Sequence, residues 1–379
     1  MSLLTAQSIP HPYPRTYVPK DAHLGDWDQV QPLLQELQNR PIHSATELQK
    51  WITDLNELEQ ILGEESSIRY VRMTCNTEDP QIERDYLDFL EKISEPSKPL
   101  FFALLKKYCD SPYRSANEKD FFLYNRSSDN QLALYREENI PLETEIEKLS
   151  QQYQKLSGSL TVQYEGKEQT LQQMGRYLDS TDRQIREEAW RLTSQRRLQE
   201  KDKFEALFDQ MLKLRVQTAK NAGFENYRDY AFRRKERFDY SAKDCEAFHE
   251  SAEKTIKPLV DKIQKRRMQK MGLTSLKPWD MSVSPDGLAP LKPFDKTEQL
   301  IEGCEKILTQ VDPEFGQNFH TMKELGLLDL ESRKGKAPGG YQTDLEEARI
   351  PFIFANSVGV DGDVRTLLHE SGHTQAAGR

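Results

Sequence analysis

The residues most able to do chemistry lie near the end of the chain, in His369-Glu370-Ser371-Gly372-His373, an H-E-x-x-H pattern. On a helix, residues four apart stand one above the other, so both imidazoles can aim a nitrogen at one ion. Zinc is the ion this donor set suits, and Glu370 is placed to take a proton from a water beside it. Seven histidines in 379 residues make a chance H-E-x-x-H expected on the order of 0.01 times. The plain alternative is a pair of histidines on a solvated helix face.

The segment must be helical for this chemistry. Asp363 is suited to the N-cap, and Val364, Leu367 and Leu368 form an apolar stripe at helical spacing. Gly372 costs a helix interior roughly 1 kcal/mol against alanine, and its small size suggests another backbone passing close by. Upstream, Tyr341-Gln-Thr343 and Ile350-Pro-Phe-Ile-Phe-Ala355 read as short strands, the second tolerating Pro351 and therefore expected near a sheet edge. Strand, glycine-containing loop (Gly359, Gly362) and H-E-x-x-H helix is the layout of a zinc peptidase, in which an edge strand can pair with a peptide backbone.

The remainder of the chain reads as helical scaffold. Of 379 residues, 30% are charged and 36% hydrophobic; with a mean hydropathy of −0.80, long solvent-striped helices are expected. A net charge of −9 without a basic face argues against nucleic-acid binding. The N-terminal stretch lacks the pattern of a signal peptide, and the apolar run Leu100–Leu105 is far too short to span a bilayer. Neither a membrane partner nor export is expected, and a cytoplasmic location follows. Cys75, Cys109, Cys245 and Cys304 are scattered without C-x-x-C spacing and read as buried thiols.

Helices are expected at about 30–38, from Ser44 to a stop at Gly63, from Pro80 to Ile93, from Pro99 to Tyr108, and over 143–157. A hairpin turning at Glu165-Gly166 follows, then helices capped near Thr181, over Lys203–Ala222, from Ser241 to Met271 with Pro258 inside, and between Gly316 and Gly326. Arg333 to Gly340 reads as a flexible glycine loop, without the order of a phosphate cradle.

The stretches Gly339-Gly340-Tyr341, Pro351 to Asn356 and Asp363 to His373 resemble the M3 family of zinc metallopeptidases, of the oligoendopeptidase F type. Arg136 to Pro141, Arg186 to Trp190, Asn221 to Phe224 and Lys277 to Asp280 carry the same resemblance. It covers most of the chain from about Phe121 onward and more weakly the part before it. The resemblance implies a mainly α, two-lobed, zincin-like fold with a small hairpin and short edge strands. The lobes would span 1–178 and 179–379, the second an incomplete catalytic domain.

By the same resemblance, His369 and His373 are zinc ligands and Glu370 the general base. Gly339, Gly340, Tyr341, Phe354, Ala355 and Asn356 would contact the substrate, a short peptide. Ordinary core packing is the competing reading for Phe352 and Phe354. A catalytic zinc takes three protein ligands, and the family's third is a glutamate roughly 25 residues past the second histidine. Only six residues follow His373 here, so the chain is expected to be the front part of a peptidase with impaired zinc binding. An inactive helical scaffold that works only by binding is the alternative.

Overall fold

The computed structural model describes residues 9–117 and 119–377. The first half is a stack of helices: Trp27–Asn39 (α1), Ala45–Cys75 (α2), Pro80–Phe89 (α3), Glu95–Cys109 (α4), Phe122–Leu134 (α5) and Ile140–Gly158 (α6). Side-chain oxygens of Asp26, Ser44 and Asp79 accept backbone N–H groups at the starts of α1, α2 and α3, groups no helical carbonyl can reach. The apolar stripes meet around Trp51, which is fully buried and donates its indole N–H to Leu37 O at 2.8 Å.

In this half, α5 had no counterpart in the sequence expectation, and two helix boundaries differ most from it. Helix α2 runs through Gly63 instead of stopping there, and a Cβ at Gly63 would lie 2.6 Å from Glu346 Oε2. The glycine makes room for a distant segment rather than ending a helix. Likewise, α3 and α4 form one rod joined by the π turn Leu90–Ser94, so Pro96 and Pro99 sit inside a continuing helix. An i→i+5 turn is a common way to absorb such an interruption.

The hairpin Thr161–Tyr164 (β1) and Lys167–Thr170 (β2) pairs antiparallel around Glu165 and Gly166, both at positive φ (52° and 74°), the geometry of a type I′ turn. Helices Leu171–Met174 (α7), Arg183–Gln199 (α8), Lys201–Asn221 (α9), Tyr227–Arg234 (α10) and Ala242–Lys270 (α11) follow. The cap of α8 is Asp182 rather than Thr181. Gly223, at φ 84°, closes α9 as Phe224 N–H reaches Ala219 O, a C′ glycine at work.

Thr297–Val311 (α12) and Pro313–Glu324 (α13) lead to a three-stranded sheet of Leu328–Glu331 (β3), Tyr341–Leu345 (β4) and Ile350–Ser357 (β5), followed by Asp361–Ala377 (α14). The sheet order is β3-β5-β4, with β3 parallel and β4 antiparallel to β5. β5 is therefore central, not an edge strand, and β3 had no counterpart in the sequence reading. Pro351 is tolerated because β3 pairing begins at Ile353, leaving Pro351 paired on one side only, opposite Asp344. Phe352, Ile353, Phe319, Met322 and Leu367 share a core with Ile68 and Val71 of α2, so α2 ties the helical stack to the sheet. Among the described residues no helix is long and apolar enough to cross a membrane.

Candidate active site

Helix α14 is aimed by the turn that precedes it. The Asp363 carboxylate accepts the N–H groups of Val358, Gly359 and Val360 at 2.8, 2.8 and 3.0 Å. The helix itself begins at Asp361, so Asp363 folds the incoming turn back rather than serving as the N-cap. Leu367 is fully buried, and Val364 and Leu368 pack on the same core. Ser371 is also fully buried and donates to Leu367 O at 2.6 Å. With that side anchored, His369 and His373 are exposed and Glu370 is half-buried.

The two imidazoles converge: their Nε2 atoms lie 3.2 Å apart and their rings meet nearly edge-on at 88°. Nitrogens each about 2.0–2.1 Å from a tetrahedral zinc stand about 3.3–3.4 Å apart, so the pair fits such an ion. The Glu370 carboxylate makes no hydrogen bond or ion pair among the described residues. Nothing lies within 4 Å of a Cβ at Gly372; the close backbone passage expected there is absent among the described residues.

The glycine loop is docked, not flexible. Lys336 is fully buried, and its ammonium donates to Asp329 Oδ1 at 2.9 Å and to the carbonyls of Asp329, Glu331 and Ala355 at 3.0, 3.0 and 2.5 Å. It also lies 4.4 Å from the centre of the Phe354 ring. Arg333 grips both Asp329 oxygens at 2.6 and 2.7 Å. Burial raises the Asp329 carboxyl, but these two cations outweigh it and hold the group at about 2. Desolvation lowers the Lys336 ammonium from its ordinary value against the pull of Asp329. Thr77 N–H and Ala337 N–H add bonds to Gly335 O and Thr74 O, sewing the loop to α2. Sequence spacing gave no hint of this clasp; the alternation Leu328-Asp329-Leu330-Glu331 was the one available signal for its strand.

Of the six expected substrate contacts, Gly339, Gly340 and Asn356 come together beside α14. The Asn356 amide donates to Ala337 O and Gly339 O at 2.9 and 2.8 Å. A Cβ on Gly340 would meet Thr366 Cγ2 at 3.3 Å, and Thr366 lies one turn before His369 and Glu370 on the same face. The Tyr341 hydroxyl is bonded to Thr74 Oγ1 at 2.6 Å, and its ring stacks on Phe354 at 4.7 Å. Burial pushes that phenol well above its ordinary range. Phe354 and Ala355 are 0% and 3% exposed on the central strand. Their side chains belong to the core and have no surface to offer a peptide in this conformation.

Among the described residues, three potential ligands converge only at His11, Glu64 and Glu347, far along the chain from the histidine pair. There Arg15 already binds both Glu347 oxygens, and Glu64 accepts Ala348 N–H at 2.8 Å. That group is better described as a salt network tying the N-terminal segment to the β4–β5 turn.

No curated protein matches the chain. The sequence profile of Peptidase family M3 matches residues 176–375, and that of the Peptidase M3 N-terminal domain matches 22–124. A solved structure assigned as an oligoendopeptidase F is similar at 27% identity and a TM-score of 0.88, covering 96% of this chain and 64% of its own. PZ peptidase A with an inhibitor is similar at 30% identity and a TM-score of 0.86, with the same coverages of 96% and 64%. A Bacillus anthracis str. Ames structure, also assigned as an oligoendopeptidase F, shares the fold at 24% identity, a TM-score of 0.87 and coverages of 95% and 67%. The chain spans about 64% of the length of the first two. With the M3 profile extending over more than half of its residues, the chain belongs to peptidase family M3.

Proposed function

We propose that this chain carries the catalytic helix of a zinc-dependent endopeptidase that cuts short peptides in the cytoplasm. The observation that carries the reading is the exposed His369–His373 pair, with nitrogens 3.2 Å apart, on α14 of an M3 chain. His369 and His373 would hold the ion, which when bound polarises the scissile carbonyl and acidifies water. Glu370, one residue on and without a protein partner, accepts the proton of the attacking water on a carboxylate oxygen. It then passes that proton to the leaving amine. The backbone of Gly339 and Gly340, held by Asn356 beside Thr366, is the proposed rest for the peptide chain. Tyr341 forms its wall, and Phe354 and Ala355 support it from beneath.

Two imidazoles are half of a tetrahedral set. The described residues place no third imidazole, thiolate or carboxylate with them, and residues 374–379 contain none. Held by this pair alone, zinc should bind weakly and turnover should be negligible. The test is zinc per chain after dialysis, with cleavage of a quenched fluorescent peptide and a Glu370→Ala control. Sub-stoichiometric zinc and background cleavage are expected. Stoichiometric zinc with cleavage abolished in the control would show that the pair suffices. Cleavage undiminished in the control would remove Glu370 from the mechanism.

A further inference from the structure

Helices α2, α4, α5, α6 and α10 line a cavity, open to solvent on one side, of about 430 Å³, a size that takes small organic ligands. No residue of the three-stranded sheet or of α14 lines it, so it is separate from the candidate active site. Six of its lining side chains are aromatic, among them Phe101 and Phe102 from α4, Tyr124 from α5 and Tyr230 from α10. Lys98 and Glu143 also line it but neutralise each other at 2.9 Å. Arg136 is engaged with the backbone oxygens of Ala133, Tyr135 and Asn221.

Two charged groups remain: Glu59 on α2 and Arg234 at the end of α10, both lining the cavity. Neither has a hydrogen bond or ion pair among the described residues. A carboxylate and a guanidinium reaching one aromatic-walled space from different helices match a ligand with an ammonium, a carboxylate and an apolar body. The volume exceeds what a single amino acid fills.

We propose that this cavity is a second ligand site, binding a short peptide with free termini and a hydrophobic side chain. The peptide's ammonium pairs with Glu59, its carboxylate takes the fork of Arg234, and its apolar side chain lies among Phe101, Phe102 and Tyr124. The aromatic faces add attraction for the ammonium. Although Glu59 is exposed as a residue, the protein crowding its carboxyl and, secondarily, the charge of Glu346 push it up to about 7. Binding is therefore measured at pH 7.5, between that value and the roughly 7.7–8.0 of a free α-amino group, where both the carboxylate and the peptide's ammonium predominate.

The probe is the dipeptide Leu-Phe, titrated calorimetrically into the full chain with a chelator present, so that neither hydrolysis nor the histidine pair contributes. Saturable one-to-one binding is expected. Glu59→Gln, Arg234→Met, acetylation of the peptide's amine and amidation of its carboxylate should each weaken it by about tenfold or more, the loss of one charge-assisted contact. His369→Ala should leave it unchanged. Circular dichroism of both charge variants should match the parent, since neither residue has a partner to lose. No saturable binding, binding indifferent to both charge variants, loss of binding in His369→Ala, or leucine binding as tightly as Leu-Phe would each overturn the proposal. None of these outcomes bears on whether α14 binds zinc.

Discussion

Replacing Asp329 with asparagine removes the carboxylate shared by Arg333 and the buried Lys336. Its folded value of about 2 lies about two units below that of a free aspartate, a difference of about 2–3 kcal/mol. Asp329 is only 4% exposed, so solvent screens little of this. A depressed carboxylate stabilises the fold above its unfolded value near pH 4 and loses that contribution as pH falls through about 2. The substitution also strands an ammonium whose own desolvation is unfavourable, so the total loss at pH 7 should reach about 3–5 kcal/mol. Denaturant unfolding of parent and Asp329→Asn at a series of pH values measures this directly. The gap should be widest near pH 7 and shrink between about pH 4 and 2. Hydrogen exchange should show the 335–340 loop opening first. A gap below about 1 kcal/mol, the range of a surface pair, or one that does not change with pH, would refute the view that a buried charge clasp holds this loop.

Asp363→Ala orphans three backbone N–H groups, and should cost about 1–3 kcal/mol with faster amide exchange at 358–360. Gly158→Ala brings a Cβ to 2.7 Å from the Lys336 carbonyl oxygen, a backbone atom, and should destabilise by about 1–3 kcal/mol in thermal melts. Gly63→Ala meets only the far end of the Glu346 side chain, which can swing away. The gain in helix propensity then keeps its effect within about 1 kcal/mol of neutral. A large loss there would mean that Glu346 is locked in place.

What could be read from the residues alone is what depends on neighbours a few positions away. The caps at Ser44, Asp79 and Ser241, the I′ turn at Glu165-Gly166 and the closing Gly223 each involve partners within five residues, so local chemistry decides them. The meeting of His369 and His373 is of the same kind, since helical periodicity alone brings the rings to one face. Where the reading failed, the deciding partner was remote in sequence. Gly63 lies inside a helix, and its missing side chain leaves room for Glu346, 283 positions later. Pro351 lies in a central strand because β3 is too short to reach it. Phe354 and Ala355 are interior because β3 and β4 flank them, and sheet order cannot be derived from strand periodicity. The 333–340 stretch looked mobile because glycine and lysine favour exposed turns. Tertiary structure overrode that preference by placing a carboxylate and three carbonyls around one ammonium, and a charge so enclosed is held where it lies.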